Sequence, residues 1–427
     1  MLPARSDDTL GAMLSDLRPA DLSELDLCDL DLFADGFPHA VFAELRESAP
    51  VWWHPPTDNT PGGEGFWVIS RHEDVRNILH DPTTFSSESG PGRDGNGGTT
   101  LIDMPAGFVT GVMLNMSDPP THERIRALVN RAFTPRSIEL LDGWLRDRAA
   151  GLVDTALERG TVDFVVDVAA ELPLQTIAEL MGVPQSDRHQ LFEWTGAILD
   201  YGDRSLNDIS DELVNAGLGL RGYADELIAE RRSHPGADLL TKVVCTDPPL
   251  SPEEEQAFFS LLFTAGSETT RNSIAAGLLA LIERPDEWRR LQSDRSLLPT
   301  AVEEILRWTS ATAYNRRTVT IDVDFGGHRF EAGQKTTHWY PSANRDATVF
   351  DDPFRFDVGR SPNPHLAFGH GIHHCLGAAL ARREISVVFD ALLDRVDDIE
   401  LAGPVEWGRS NKHTSMRHLP VTMSSAT

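Results

Sequence analysis

The sequence predicts a mainly α protein with a small β part, and three observations carry that expectation. Apolar positions recur at helical spacing through almost every segment between residues 120 and 310. Short β-like runs are confined to two places, near residues 50–70 and 315–340. No internal repeat, and no low-complexity block beyond one glycine-rich loop, divides the chain. One domain over residues 26–427 is therefore expected, preceded by an acidic, weakly patterned segment, residues 1–25, expected to be loosely ordered.

Composition narrows the function. At 427 residues, 40% apolar and 24% charged, the chain can bury a deep core. Its 66 acidic against 38 basic side chains give a formal charge of −28, which opposes binding to nucleic-acid phosphates or anionic lipid. No run approaches the roughly 18 apolar residues of a membrane span. The start, MLPARSDDTLGAMLSDL, lacks the apolar core of a signal peptide. A cytoplasmic protein with no membrane span and no nucleic-acid role is expected. Three scattered cysteines exclude a disulfide framework and a CxxC zinc knuckle; Cys28 and Cys245 read as small packed residues.

In chain order, FPHAVFAELRES has helical spacing, and PVWWHP and GFWVIS, joined by TPGGEG, predict a hairpin. RHEDVRNILHDP returns to helix. Residues 86–99, SSESGPGRDGNGGT, predict a long loop of the kind that serves as a lid. Helices follow in THERIRALVNRAF, SIELLDGWLRDRAAGLVDTALER, LPLQTIAELMGV, SDRHQLFEWTGAILDYG and DELVNAGLGLRGYADELIAERRS. Beyond Tyr314, RTVTIDVDF, HRFEAG and KTTHWY read as β, a Pro-rich coil follows, and AALARREISVVFDALLDRV is a last helix.

The longest helix should begin at Ser251, where Ser251, Pro252 and Glu254 supply an N-cap, a proline at the first helical position and a capping-box acid, and should stop by Pro285. Its interior carries AGSETT, residues 265–270, a run of poor helix formers with a carboxylate among them. Two explanations stand. Small residues permit a close helix crossing while Glu268 finds a salt bridge, or Gly266 lets the helix open and Glu268 and Thr269 deliver protons to a bound cofactor. Downstream, Glu304 and Arg307 lie three apart on one helical face, a common pair that means little alone.

FGHGIHHCLG, residues 368–377, places Cys375 among Gly369, Gly371 and Gly377, where backbone can approach a flat group, with Phe368 beside it. The following helix N-terminus would favour a thiolate. This describes a haem-thiolate ligand. Zinc bound by His365, His370, His373, His374 and Cys375 is the competing reading, weakened because three consecutive ligands rarely close a tetrahedron; a structural loop is the third.

AGSETT, ExxR and FGHGIHHCLG resemble, in order and spacing, the cytochrome P450 family. The resemblance extends over nearly the whole chain through GFWVISRHEDV, MLNMSDPPTHERIRALVNRAFTPR, ELPLQTIAELMGVPQ and SANRDATVFDDPFRFDVGR. VMLNM, ETTRNSI and RSPNPH are most similar to the actinobacterial branch that oxidises sterol side chains and methyl-branched lipids. The resemblance implies a single haem-thiolate domain holding haem b, with Cys375 as the iron ligand. His122, Arg126, Arg317 and His373 would hold the propionates, since buried carboxylates need paired donors. Phe368, Gly369, Gly377 and Ala265 would lie against the ring. Glu268 and Thr269 would route protons to dioxygen, and Glu304, Arg307 and Arg355 would form a buried ion network behind the haem loop.

Substrate walls are expected from the glycine loop, Val112, Met113, Leu114, the segment near 195–210, Leu261 to Ala265 with Thr264 among them, Ala311 and Thr312 to Asn315, and the tail around Asn411 to His413. Two departures from the family pattern are Glu268 in place of the commoner Asp and His374 where an apolar residue is frequent. The implied activity is hydroxylation of a C–H bond of a hydrophobic substrate with O2 and two electrons. No flavin or iron–sulfur motif occurs in the sequence, so the electrons should come from a separate ferredoxin-type donor with its reductase. Arg126, Arg131, Arg382 and Arg383 could give that donor a basic patch. A sterol, terpenoid or branched lipid is favoured as substrate over a polyketide or other secondary metabolite. A non-catalytic haem sensor is the alternative from another class.

Overall fold

A computed structural model describes residues 22–425 apart from 108, 131–132 and 200–209. Helix dominates the described residues, as the periodicity requires. The capping box forms: Ser251 Oγ accepts from the Glu254 N–H at 3.2 Å and the Glu254 carboxylate accepts from the Ser251 N–H at 2.9 Å. From there one helix runs unbroken over Pro252–Ile282, and Pro285 opens the next. Around this long helix pack Glu171–Met181, Leu298–Thr309 and the last helix, Ala378–Arg395, which also lies along Asp142–Arg159. Phe259, Phe263, Ile274 and Leu278 of the long helix are fully buried in the main core. One expectation changes: the helix read as continuous over residues 137–159 is two, Pro135–Glu139 and Asp142–Arg159, and nothing in the structure explains the break.

The β part is mainly one five-stranded sheet. The predicted hairpin pairs Val51–His54 with Phe66–Ile69, antiparallel, with Val51 opposite Ile69. Phe66–Ile69 then runs parallel to Lys335–Trp339, which pairs antiparallel with Tyr314–Val319, and Phe85–Ser86 closes the edge. A second core built on Leu27, Phe33, Phe42 and Trp339 fixes the N-terminal part to this sheet. The expected loose segment, residues 1–25, falls mostly outside the described residues; within it, Leu25 is buried.

The glycine loop departs from its expected role. It is strapped down, with Gly98 donating to the Glu88 carbonyl (2.8 Å) and Gly97 and Met104 exchanging backbone bonds (3.1 and 2.8 Å). The neighbouring stretch, between Thr99 and Met116, is what reaches the interior cavity. No described helix is long and apolar enough to cross a membrane.

Candidate active site

Between the long helix and the cysteine loop lies a cavity of about 1140 Å³. That exceeds the roughly 300–1,000 Å³ of a typical ligand site, which is room for more than one small molecule. Ala265, Gly266 and Thr269 line one side, and Phe368, Gly369, Cys375 and Gly377 line another. The long helix brings the first set because 265 and 269 are one turn apart. The second set is held by backbone: the Cys375 N–H donates to the Phe368 carbonyl (2.9 Å), and Gly369 and Gly371 sit at φ of +68° and +71°. A Cβ on Gly371 would stand 2.3 Å from the Leu79 carbonyl oxygen, so glycine there permits the loop to meet the helix His72–His80. A Cβ on Gly377 would meet nothing, because that face is open to the cavity.

Cys375 is exposed and lines the cavity. Burial raises its thiol pKa, against the Gly377 N–H and the charges of Arg126 and Arg382, which lower it. The chain alone therefore leaves a protonated thiol, and a bound cation is needed to make the thiolate dominant. The zinc arrangement does not form. His365 pairs with Glu303 at 3.1 Å, His370 lies against His80, and His374 points outward. Among the described residues, the one cluster whose ligand atoms converge is Asp26, Cys28 and His54, remote in sequence from this loop. Both ring nitrogens of His54 are already engaged there, by the Leu27 N–H (2.9 Å) and the Pro55 carbonyl (2.7 Å).

Four polar side chains face the cavity without acid partners. Arg126 donates to Asn130 Oδ1 (2.9 Å) and Arg317 to a backbone carbonyl (2.9 Å), and neither has a carboxylate partner among the described residues. His122 and His373 pack with ring centroids 4.3 Å apart and planes tilted by 53°, and both nitrogens of His122 and Nε2 of His373 are buried without a hydrogen bond. Burial and the neighbouring guanidiniums push His122 down to about 4 and His373 to about 2, so both are neutral donors at pH 7. Two cations and two orphaned imidazoles fit a flat group with two carboxylates, which is the chemistry of haem b.

The flaw in the long helix resolves mostly as packing. The helix does not open at Gly266: a Cβ there would meet Ile177 Cγ1 at 2.7 Å, so the glycine admits the crossing of Glu171–Met181. Gly266→Val is expected to cost about 1–3 kcal/mol by overpacking, read as a lower denaturation midpoint. Thr269 Oγ1 donates to the Ala265 carbonyl (2.8 Å) and lines the cavity. Glu268 is buried off the cavity, with its carboxylate on Arg271 at 2.9 Å.

Glu304 and Arg307 are fully buried and bidentate, at 2.7 and 2.8 Å. The third member is not Arg355, whose backbone carbonyl and not its side chain meets Arg307 (3.2 Å). Arg360 takes that place, with Nε 3.2 Å from Glu304, because it stands where the coil folds back across the helix. Asn363 Nδ2 (3.1 Å) and the Asp357 N–H (2.9 Å) complete the shell.

Of the expected substrate contacts, Met113, Leu114, Leu261, Thr264, Ala265, Ala311, Thr312, Asn315 and His413 line the cavity. Val112 does not, and Asn411 is fully buried with its amide on the Leu27 carbonyl (2.9 Å). In the 195–210 segment, Ile198 lines the cavity and residues 200–209 lie outside the described residues. The basic patch is weaker than expected: Arg382 is bidentate to Glu303 (2.6 and 2.9 Å), Arg383 pairs with Asp142, and Arg131 lies outside the described residues. Lys412 falls within the tail expected to line the cavity, and does, although its charge was given no role; sequence reasoning missed Glu384, a buried cavity-lining carboxyl that burial pushes up to about 8 and that no motif marks.

A cysteine thiol facing a helical threonine across a cavity edged by free cations defines a haem-thiolate protein. Residues 33–397 match the family described as Cytochrome P450, and the chain belongs to it. It is 50% identical to cytochrome P450 126 of Mycobacterium tuberculosis, over 95% of this chain and 98% of that protein. It is 38% identical to the steroid C26-monooxygenase of Rhodococcus jostii, over 94% and 85% of the two chains. The crystal structure of Mycobacterium marinum CYP268A2 in complex with pseudoionone superposes with a TM-score of 0.85 at 34% identity, over 95% of this chain and 99% of that one. The protein is thus a cytochrome P450 monooxygenase whose cofactor is a cysteine-ligated haem b.

Proposed function

We propose that Cys375 is the thiolate ligand of the haem and that the enzyme hydroxylates a C–H bond of a sterol, terpenoid or branched lipid. A ferredoxin-type donor in the cytoplasm supplies the electrons. The single observation that carries the site assignment is that Cys375 and Thr269 line one cavity with Arg126, Arg317, His122 and His373. The steroid activity of the Rhodococcus relative and the terpenoid-like ligand in the M. marinum complex support the substrate class. The apolar walls, among them Ile102, Met104, Val109 and Leu261, suit it.

Haem b, when bound, supplies the activation of dioxygen; the chain's own residues position and protonate. Arg126 and Arg317 bind carboxylates as cations, and His122 and His373 as neutral donors. Phe368, Gly369, Gly377 and Ala265 line the cavity where the ring would lie, and a Cβ on Gly377 would meet nothing. The apolar walls exclude water from the reacting end. Thr269 Oγ holds a proton at the cavity surface, donated at rest to the Ala265 carbonyl. Glu268, the preceding residue, is held on Arg271 off the cavity, and its carboxylate would relay a proton towards Thr269 only on leaving that guanidinium and being protonated from solvent.

Thr269→Ala is expected to divert electrons from product to hydrogen peroxide, with product formation falling on the order of 10²-fold while substrate affinity is kept. Unchanged product per electron would remove Thr269 from the proton path.

A further inference from the structure

One wall of the cavity carries more positive charge than the rest of the protein would lead one to expect. It is built from the strands Tyr314–Val319 and Lys335–Trp339, the stretch after Thr99 and the turn at residues 410–414. Lys335 lines it, 3% exposed, with Nζ 2.8 Å from Glu64 and 3.7 Å from Asp103. Arg316 lies behind, on Asp103 at 2.5 Å, and Arg93 from the glycine loop spans both acids, at 2.7 Å to Asp103 and 3.1 Å to Glu64. Three cations therefore share two carboxylates.

Deeper in the same wall is Lys412, 7% exposed and lining the cavity. Its ammonium donates to the Thr99 carbonyl (3.0 Å), the Tyr314 carbonyl (2.6 Å) and Asn315 Oδ1 (2.8 Å). All three acceptors are neutral, and no described carboxylate pairs with it. Of these acceptors only Asn315 is a side chain, with its other end on Tyr340 Oη at 3.0 Å, so it is the one a ligand can displace. Burial, then Arg317, pushes Lys412 down to about 7, the behaviour of a cation without its counter-ion. Arg317 is taken by the haem in the reading above. In a chain of net charge −28, Lys412 is thus a buried cation that faces the cavity with neutral acceptors and no described carboxylate partner.

We propose that the substrate is an amphipathic acid whose carboxylate seats against Lys412 while its hydrocarbon body extends over the Cys375 floor. The proposal rests on the function assigned above and names the polarity of its substrate. It makes Lys412 a specificity-determining residue, since a buried ammonium rewards an anion and leaves an ester or alcohol with only a hydrogen bond.

The test uses the haem-loaded full chain with a branched-chain fatty acid and a steroid side-chain acid, each beside its methyl ester and primary alcohol. Affinity is read by calorimetry, which does not depend on the spectrum of the iron. Wild type should bind at least one acid about tenfold or more tighter than its ester. Lys412→Met should bring that ratio near one, and Lys412→Arg should keep it. Equal affinities in wild type, no binding by any compound, or a ratio that survives in Lys412→Met would each overturn the proposal. The wild-type ratio needs no variant, so a Lys412→Met protein that fails to fold leaves the test decisive. A missing thiolate spectrum would instead sink the haem assignment, which is a separate readout.

Discussion

Replacing Cys375 with alanine is expected to give a folded chain that no longer shows, when reduced and treated with carbon monoxide, the red-shifted Soret band of a thiolate-ligated haem. Monooxygenase turnover should fall to background. The reason is local. The loop histidines are engaged elsewhere or face away: His373 packs on His122, His365 is held by Glu303, His370 lies against His80, and His374 is exposed and does not line the cavity. The loop backbone should survive, because Cys375 is held through its N–H on the Phe368 carbonyl, a bond alanine keeps. Persistence of the thiolate band in Cys375→Ala would show that another sulfur ligates the iron, and Cys28, buried at the N-terminal core, and Cys245, exposed, are poorly placed for that.

The second large effect is on stability. Arg307→Ala should cost about 3–5 kcal/mol, because it leaves the fully buried Glu304 carboxylate short of its bidentate partner. That is a large part of the roughly 5–15 kcal/mol that holds a domain folded. Arg307 also ties three carbonyls, of Asn344 (2.8 Å), Pro353 (2.9 Å) and Arg355 (3.2 Å), so its loss frees the coil that leads to the cysteine loop. Lysine, a point charge, should rescue little. Denaturant midpoints and haem retention in Arg307→Ala, Arg307→Lys and Arg360→Ala measure this. A shift below about 1 kcal/mol in Arg307→Ala would mean that the network is dispensable. Arg355→Ala should change little, since its contribution is a backbone carbonyl.

The site was legible where chemistry forces residue type. A haem thiolate needs a cysteine on an open backbone, so Cys375 is legible from its loop, whereas Arg126, Arg317, His122 and His373 are legible only through the family resemblance; all five line one cavity. Roles that depend on which way a chain folds back were read less well. Arg355 and Arg360 are five residues apart in one coil, and sequence offers no reason to prefer either; the bend places Arg360 on Glu304. Glu268 and Thr269 are neighbours on a helix and so face about 100° apart, which puts the threonine in the cavity and the acid on Arg271.

The sequence by itself determined the helical architecture, the capped long helix, the hairpin and the three motifs, because each rests on spacing, capping or residue chemistry within a few positions. Tertiary structure alone decided that Gly266 admits a helix crossing, that of the glycine loop only its last residue, Thr99, lines the cavity with the stretch after it, and that Lys412 lies buried without a described carboxylate partner. Those facts depend on contacts between segments far apart in sequence, such as the bond from Lys412 to Thr99, and no local pattern encodes them.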